Sequence, residues 1–504
     1  MEQRKNSDNR GLIQMKNDVI IIGAGIGGMN AGMQLASQGY SVTILEKRSE
    51  PGGKMRRVFH GDCLFDAGPS LITMPFILRD AFAQTGAVLD EYLKLLPIDP
   101  ICHYRWLDGK QYDCHANPLN RNEETEKVFG RKSMQEMNAY LAHASKVYHA
   151  TKDVFLFNPF DGFKEFFKRK NLPLLPALPS LKFSSKFHTF NADYFTNPKL
   201  IQLFDRFATY NGSSPYLAPA TLMVIPFIEF EYGGWYPEGG IYAIAEAFHK
   251  RCLELGVNFI FNADVDEIIT DKKTAKGVKT KDGNMYEAKH VISNADVYHA
   301  KHDLLNKAHT KKPELSTSGF VMLIPMHKNP FEMSHHTVLF SDAYEREFTT
   351  IFKEKESPEE MTVYISVSGK SDASQVTNDK ENWFVLVNTP PTSQANEWSD
   401  EKTARYKHSI LTMIERFLPD MQSYIADEPF IITPDDFSME FHATGGSLYG
   451  SSSNSMFSAF LRPTNTDPHI QNLHHCGGSA HPGGGIPLVI LSGQFAAQSV
   501  MAHS

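Results

Sequence analysis

The apolar positions of this chain follow several distinct periods, and the sharpest lies near the start. Val19 to Ile22 is wholly apolar, the mark of a strand buried on both faces. Glycines follow at positions 23, 25 and 28, and Met29, Met33, Leu35 and Ala36 then carry a helical stripe that ends at Gly39. Ser41 to Leu45 reads as a second strand with Glu46 at its end. From Gly239, GGIYAIAEAFHKRCLELGV has the pattern of an amphipathic helix, and NFIFNADVDEIITDKKTAKGVKTKDGNMYEAKHVISNAD reads as strands joined by turns such as KDGN. Near the end, HPGGGIPLVILSGQFAAQSV sets three consecutive glycines in an apolar stretch too short to found a domain, so it must complete something begun elsewhere.

The first of these stretches parses as one βαβ unit with a phosphate-binding turn. In GAGIGG, Gly23 permits the tight turn, Gly25 lets the backbone approach a pyrophosphate, and Gly28 lets helix and strand pack closely, with Ile26 and Gly27 between them. The phosphates face the positive end of the helix, and Glu46 accepts the ribose hydroxyls. Strand, helix, strand and acid fall in order, which points to an adenine dinucleotide. A second glycine loop, EKRSEPGGKMRRV, follows at once with Lys47, Gly52, Gly53, Lys54 and Met55. A second phosphate-facing loop favours a longer, embedded cofactor, FAD, over NAD. In FDAGPSLITMP, Gly68, Pro69 and Ser70 form either a loop along the flavin or a plain turn.

Composition narrows the class. With 504 residues, 41% of them hydrophobic, the chain can bury more than one core and is expected to split into domains. A formal charge of −8 offers no general attraction to polyphosphate, and no nucleic-acid signature appears, so no nucleic-acid partner is expected. Five scattered cysteines, never in C-x-x-C spacing, read as buried structural thiols in a reducing compartment. The opening segment lacks an apolar region of the secretory type, and no apolar run approaches the roughly 20 residues of a spanning helix. A cytoplasmic protein follows, with residues 1–15 as a disordered polar extension and Met15 as an alternative start.

Read together, GAGIGG, LEKRSEPGGKM, FDAGPS, WYPEGGIYAIAEAF, VISNAD and HHCGGSAHPGGGIPLVILSG resemble, in that order, the phytoene desaturase branch of the FAD amine-oxidase-like superfamily. The resemblance spans the chain after Met15. It implies an α/β fold: a Rossmann-like FAD-binding domain of the glutathione-reductase/amine-oxidase type, built from residues 16–75, 232–300 and 432–504. An interleaved α+β substrate domain would take 76–231 and 301–431. It also implies that the tail returns to the first fold and lays Gly477, Gly478 and the run Gly483, Gly484, Gly485, Ile486 and Pro487 against the flavin, with the helix beginning near Val489. Glycine lets main-chain N–H groups reach a flat ring without an intervening side chain. Val265 would lie beside the adenine, and Asn294, Ala295 and Asp296 would close the cofactor domain.

The family's chemistry moves a hydride from an acyclic carotenoid to the flavin with loss of a proton from the neighbouring carbon, and oxygen or a quinone then takes the electrons. The cofactor carries the difficult step, while the protein excludes water, aligns the chain and offers at most one acid or base. Glu229 and Glu231 in PFIEFEYGGWYP are the candidates. Strand-like alternation would point both to one face, either towards substrate or to solvent. Phe204, Phe207, Tyr210, Phe227, Phe230, Tyr232, Trp235 and Tyr236 are candidate tunnel walls. Between 155 and 190, Phe, Leu and Pro alternate with Lys164, Lys168, Arg169, Lys170, Lys182 and Lys186. That suits a monotopic face on the inner leaflet of the cytoplasmic membrane, or equally a loop on the core with solvated lysines. The pairs His335-His336 and His474-His475 would point to opposite faces of extended segments, and no metal site is expected.

Met74 stands where many bacterial phytoene desaturases carry an aspartate, which brings the chain nearest to the hydroxycarotenoid 3,4-desaturases. Phytoene or diapophytoene desaturation, carotenoid isomerisation and a retinol-saturase-like reduction stay open. So does a lipid-binding module without chemistry, of the GDP-dissociation-inhibitor kind, although such proteins have eroded flavin motifs.

Overall fold

The structure is a computed structural model, and it describes residues 17–160, 179–306, 312–377, 379–393, 396–455 and 462–503. The expected N-terminal extension and most of the expected membrane-facing segment, including Lys164, Lys168, Arg169 and Lys170, lie outside the described residues.

Among the described residues, two seven-stranded sheets organise the chain. In the first, Asn17–Ile22 is the central strand. It pairs in parallel with Val42–Leu45 on one side and Met285–Ser293 on the other. Asn258–Ile260 extends the sheet beyond Val42–Leu45, again in parallel. On the other side Met285–Ser293 does two things. Its first half closes an antiparallel meander with Thr274–Thr280 and Val265–Asp271, and its last three residues pair in parallel with Leu473–His475 from the tail. Strands from three distant parts of the chain therefore share one sheet.

The apolar run at the start explains why this strand is central. Val19 and Ile21 face a core with Met29, Met33 and Leu35 of the helix Ile26–Ser37, Phe248 of the helix Tyr242–Glu254, and Ile490 and Phe495 of the tail helix Ile486–His503. Ile20 and Ile22 face the opposite core with Val265, Ile268, Val291 and Leu473. A strand with helices on one side and a meander on the other has no polar face to offer.

The second sheet runs in the order Phe430–Ile432, Ser318–His327, Lys380–Thr389, Val363–Val367, His336–Phe340, Cys102–Trp106 and Gln111–Cys114. Its pairings are antiparallel except that of His336–Phe340 with Cys102–Trp106. One face packs on the helix Asp400–Glu415 and the other on a helical layer that includes Arg131–Phe155 and Val224–Tyr232.

Two expected domain boundaries move. Leu78 and Phe82 of the helix Pro75–Ala83, with Leu89, Leu95 and Ile98 after it, belong to the same core as Val19 and Met29. Leu95–Ile98 also pairs with Gly234–Pro237, so the first segment of the cofactor fold runs on past residue 75. At the other end, Ile432 sits inside a strand of the second sheet, and Phe437 packs with Val321 and Phe384. Among the described residues the chain re-enters the first sheet at Leu473. Periodicity marks elements but not the core each one joins.

A flavin crevice continuous with an apolar limb

The glycine turn, the second strand and the tail converge on one cavity of about 510 Å³. Its walls include Gly23, Gly25, Ile26, Glu46, Lys47, Gly52, Gly53, Lys54, Met55, Gly68, Pro69, Ser70, Val265, Asn294, Ala295, Asp296, Gly477, Gly478, Gly485, Ile486 and Pro487. Of the expected cofactor residues Gly483 does not line it, nor do Gly27 and Gly28 of the first helix. The latter two are buried packing positions. A Cβ on Gly28 would lie 2.4 Å from the Gly23 carbonyl oxygen, and one on Gly27 would lie 2.8 Å from Asn294 Oδ1.

The crevice fits FAD on several counts. Gly25 precedes the helix Ile26–Ser37 without a side-chain cap, and Gly25 and Ile26 line the cavity, so the positive end of the helix stands at its wall. Gly25 and Gly53 approach so closely that a Cβ on Gly53 would lie 3.2 Å from Gly25 Cα. The buried Glu46 carboxylate accepts the N–H of Ala24 at 2.7 Å and that of Arg48 at 3.0 Å, which locks its orientation while it lines the cavity. Asn294 donates to the Gly23 carbonyl at 3.2 Å and ties the middle segment to the turn. In the tail, Gly485 has a φ of +101° and open space where a Cβ would stand. When bound there, FAD supplies a ring that accepts a hydride.

Lys54 departs from the expected role. Its buried ammonium donates to the Ser447 and Leu448 carbonyls at 3.2 and 3.0 Å, so it ties a loop of the second fold to the crevice instead of being free for phosphate. Burial lowers its pKa, against the opposing pull of Asp296. Lys47 likewise donates to the Met439 carbonyl, at 3.0 Å.

Beyond the glycines the cavity continues into the second fold, between Ile101, Cys102, Val321, Val338, Phe384, Leu386 and Leu448. Polar groups stand among these apolar walls. Ser70 Oγ meets Tyr364 OH at 2.5 Å, and Tyr364 OH meets His336 Nδ1 at 2.6 Å. Burial, helped by His335 and Arg206, drives the His336 pKa well down and leaves a neutral imidazole. Arg206 lies within 6 Å of the ring centres of Tyr104, Tyr210 and Tyr364, and bonds the hydroxyls of Tyr104 at 3.3 Å and Tyr210 at 3.5 Å. Burial would depress its pKa, but the surrounding phenols, Cys102 and Glu229 more than offset this and raise it.

The expected pair of carboxylates is overturned. Glu229 and Glu231 lie on the helix Val224–Tyr232, not on a strand, so two residues of separation turn them to opposite sides. Glu231 is exposed and does not line the cavity. Glu229 is buried behind Tyr210, whose hydroxyl donates to it at 2.5 Å, and burial raises its pKa against that bond and the nearby Arg206. It does not line the cavity itself, and Tyr210 and Arg206 stand between.

The aromatic candidates divide in the same way. Tyr210 lines the limb, while Phe204, Phe207, Phe227 and Phe230 are core residues and Tyr236 is buried against Asp66. Tyr232 and Trp235 pack at the edge of the first core. Met74 also lies off the cavity. It is buried in the first core with a φ of +49° and precedes the helix Pro75–Ala83. His335 precedes the strand His336–Phe340, so pleat alternation does not govern it, and the two rings sit 4.3 Å apart instead of on opposite faces. His474 and His475 do have different partners: His290 and Ser499 for the first, Asp467 for the second. All five cysteines are buried thiols.

Arg206, Tyr344, Glu347, Thr362, Tyr364 and Tyr449 line the cavity without having been singled out. A charged residue inside the aromatic stripe LFDRFATY was the available signal for Arg206. Nothing local marked Glu347 in YEREFTTIF.

Comparison with known proteins agrees with this geometry. Residues 26–501 match the model of the flavin containing amine oxidoreductase family. The chain belongs to that family, in its carotenoid desaturase branch. It is 35% identical over 485 residues to a 1-hydroxycarotenoid 3,4-desaturase of Flavobacterium sp. (strain P99-3), covering 95% of this chain and 98% of that protein. It is 30% identical to a zeta-carotene-forming phytoene desaturase of Myxococcus xanthus, over 96% of this chain and 94% of that one. Among solved structures, cyclohexylamine oxidase from Brevibacterium oxydans IH-35A superposes with a TM-score of 0.62 at 14% identity, over 97% of this chain and 99% of that one, which shows the shared fold. The resemblance read from the motifs holds. The protein is an FAD-dependent oxidoreductase.

Proposed function

We propose that this oxidoreductase is a carotenoid desaturase that introduces a C=C bond into an acyclic carotenoid, as a 1'-hydroxycarotenoid 3,4-desaturase. The observation that carries this reading is the continuity of the cavity. A glycine-walled crevice for the flavin opens directly into a limb walled by Ile101, Val321, Val338, Phe384 and Leu386. An unactivated polyene needs apolar walls to desolvate and align it, and it needs no protein nucleophile. Identity to the hydroxycarotenoid enzyme over nearly the whole chain supports the finer assignment. On this reading the apolar walls exclude water from the reacting carbons, and Ser70, Tyr364 and His336 form a hydrogen-bonded row beside them.

The test is incubation of the FAD-loaded protein with acyclic carotenoids that carry or lack a terminal hydroxyl, reading the bathochromic shift of each product. A shift confined to substrates without the hydroxyl would move the assignment to phytoene-type desaturation. We further propose that the protein takes its substrate from the inner face of the cytoplasmic membrane and that oxygen or a quinone reoxidises the flavin. The Phe-, Pro- and Lys-rich composition of residues 155–190 supports the first, and among the described residues no helix is long and apolar enough to cross a membrane. Liposome flotation with and without anionic lipid tests it, and indifference to lipid would remove it.

A further inference from the structure

Among the described residues, three side chains of the limb keep a buried polar atom without a hydrogen-bond partner, His336, Tyr344 and Glu347, and the last two stand together. Tyr344 and Glu347 stand three residues apart on the helix Tyr344–Thr349, so they share a face, and both line the cavity. Both side chains are buried, and Tyr344 OH and Glu347 Oε1 have no hydrogen-bond partner among the described residues. Native folds rarely leave such atoms unpaired, because an unmade buried hydrogen bond is costly. The other carboxyl oxygen of Glu347 is held: Oε2 accepts the N–H of Thr362 at 3.0 Å, and Thr362 also lines the cavity. The carboxyl group is thus fixed with one oxygen engaged and one free. Arg206, the cation of the same limb, is already bonded to Tyr104 and Tyr210.

Resting on the hydroxycarotenoid reading above, we propose that Glu347 and Tyr344 form a polar anchor that hydrogen-bonds the terminal hydroxyl of the substrate and so selects hydroxylated over purely hydrocarbon chains. An alcohol suits the pair because it accepts one hydrogen bond and donates another. Burial pushes the Glu347 pKa up to about 8, so at neutral pH the group is a carboxylic acid whose O–H donates to the substrate oxygen. The substrate O–H then donates to the oxygen of Tyr344. A hydrocarbon end would leave both groups unpaired, and a site built to bond a hydroxyl discriminates strongly against the analogue that lacks it. The two residues act as specificity determinants and take no part in bond breaking.

The experiment measures kcat/KM of the FAD-loaded protein for one polyene with and without its terminal hydroxyl, in wild type and in Glu347→Leu, Tyr344→Phe and Glu347→Gln. The wild type is expected to prefer the hydroxylated substrate. Glu347→Leu should lower that preference about tenfold or more, Tyr344→Phe by less, and Glu347→Gln, which keeps a donor, should retain part of it. Activity on the hydroxyl-free polyene should rise in Glu347→Leu, because the unpaired group that opposes a hydrocarbon end is gone, and the flavin spectrum should stay unchanged. If Glu347→Leu fails to fold, Tyr344→Phe and Glu347→Gln decide alone. Preference undiminished in every folded variant overturns the anchor and leaves the desaturase assignment standing. A wild type indifferent to the hydroxyl overturns both the anchor and the hydroxycarotenoid assignment.

Discussion

Gly493 of the tail helix and Gly27 of the first helix meet backbone to backbone, although more than four hundred residues separate them in the chain. A Cβ on Gly493 would stand 2.1 Å from the Gly27 carbonyl oxygen and 3.2 Å from the Ala31 nitrogen. The contact seats the start of the tail helix beside the phosphate turn. Gly493→Ala is therefore expected to force the helices apart, destabilise the protein by about 1–3 kcal/mol and lower its flavin content. Urea denaturation and the ratio of visible to ultraviolet absorbance of the purified protein check this.

Glu46 holds the Ala24 N–H with one carboxylate oxygen and faces the crevice with the same group. Replacing it with alanine frees the turn and removes an acceptor from the ribose. The dissociation constant for FAD should rise about ten- to a hundredfold, equivalent to about 1.4–2.8 kcal/mol. Titration of the apoprotein, followed by quenching of flavin fluorescence, measures it.

The two carboxylates of PFIEFEY should behave oppositely. Glu231→Gln, on an exposed position, should leave activity within about twofold of wild type and stability within about 0.5 kcal/mol. Glu229→Ala removes the acceptor of Tyr210 and the counter-charge near Arg206, and should cost about 2–4 kcal/mol. Thermal melts of both variants separate the outcomes, and equal melting points would refute the burial argument.

Glu347 should make the protein less stable as pH rises. Its usual pKa of 4.5 applies to the unfolded chain, and the folded value is about 8. Below the lower value both states hold the proton. Between the two the folded state binds more protons than the unfolded one, so stability falls by up to about 1.4 kcal/mol per pH unit. Above the upper value the loss is complete and constant. Asp66, raised by burial to about 6, adds a loss of the same sign at lower pH. The difference between wild type and Glu347→Gln isolates the Glu347 share: urea midpoints should match near pH 4 and diverge in favour of the variant up to about pH 8.

The first βαβ unit was legible because its information is local. An apolar run followed by glycines at fixed offsets and an acid at the end of the next strand admits few arrangements, and Val19–Ile22, Gly23, Gly25 and Glu46 all stand where that pattern puts them. The tail was legible for a different reason: a glycine-rich apolar segment too short for its own core needs a host, and it found one beside Gly27 and Met285–Ser293.

Tertiary structure alone decided the rest. PFIEFEY alternates like a strand, yet it is helical because it fills a layer against the second sheet, and the turn of a helix in place of the pleat of a strand separates Glu229 from Glu231. The helix Pro75–Ala83 and the strand Leu95–Ile98 could have joined either core, and contact with Met29 and Phe248 settled the choice. The polar lining of the limb, Arg206, His336, Tyr344, Glu347 and Tyr364, comes from three separated stretches of chain. Periodicity records which side of an element is buried. It does not record whether that side meets packed neighbours or a cavity, because that depends on which other elements arrive there.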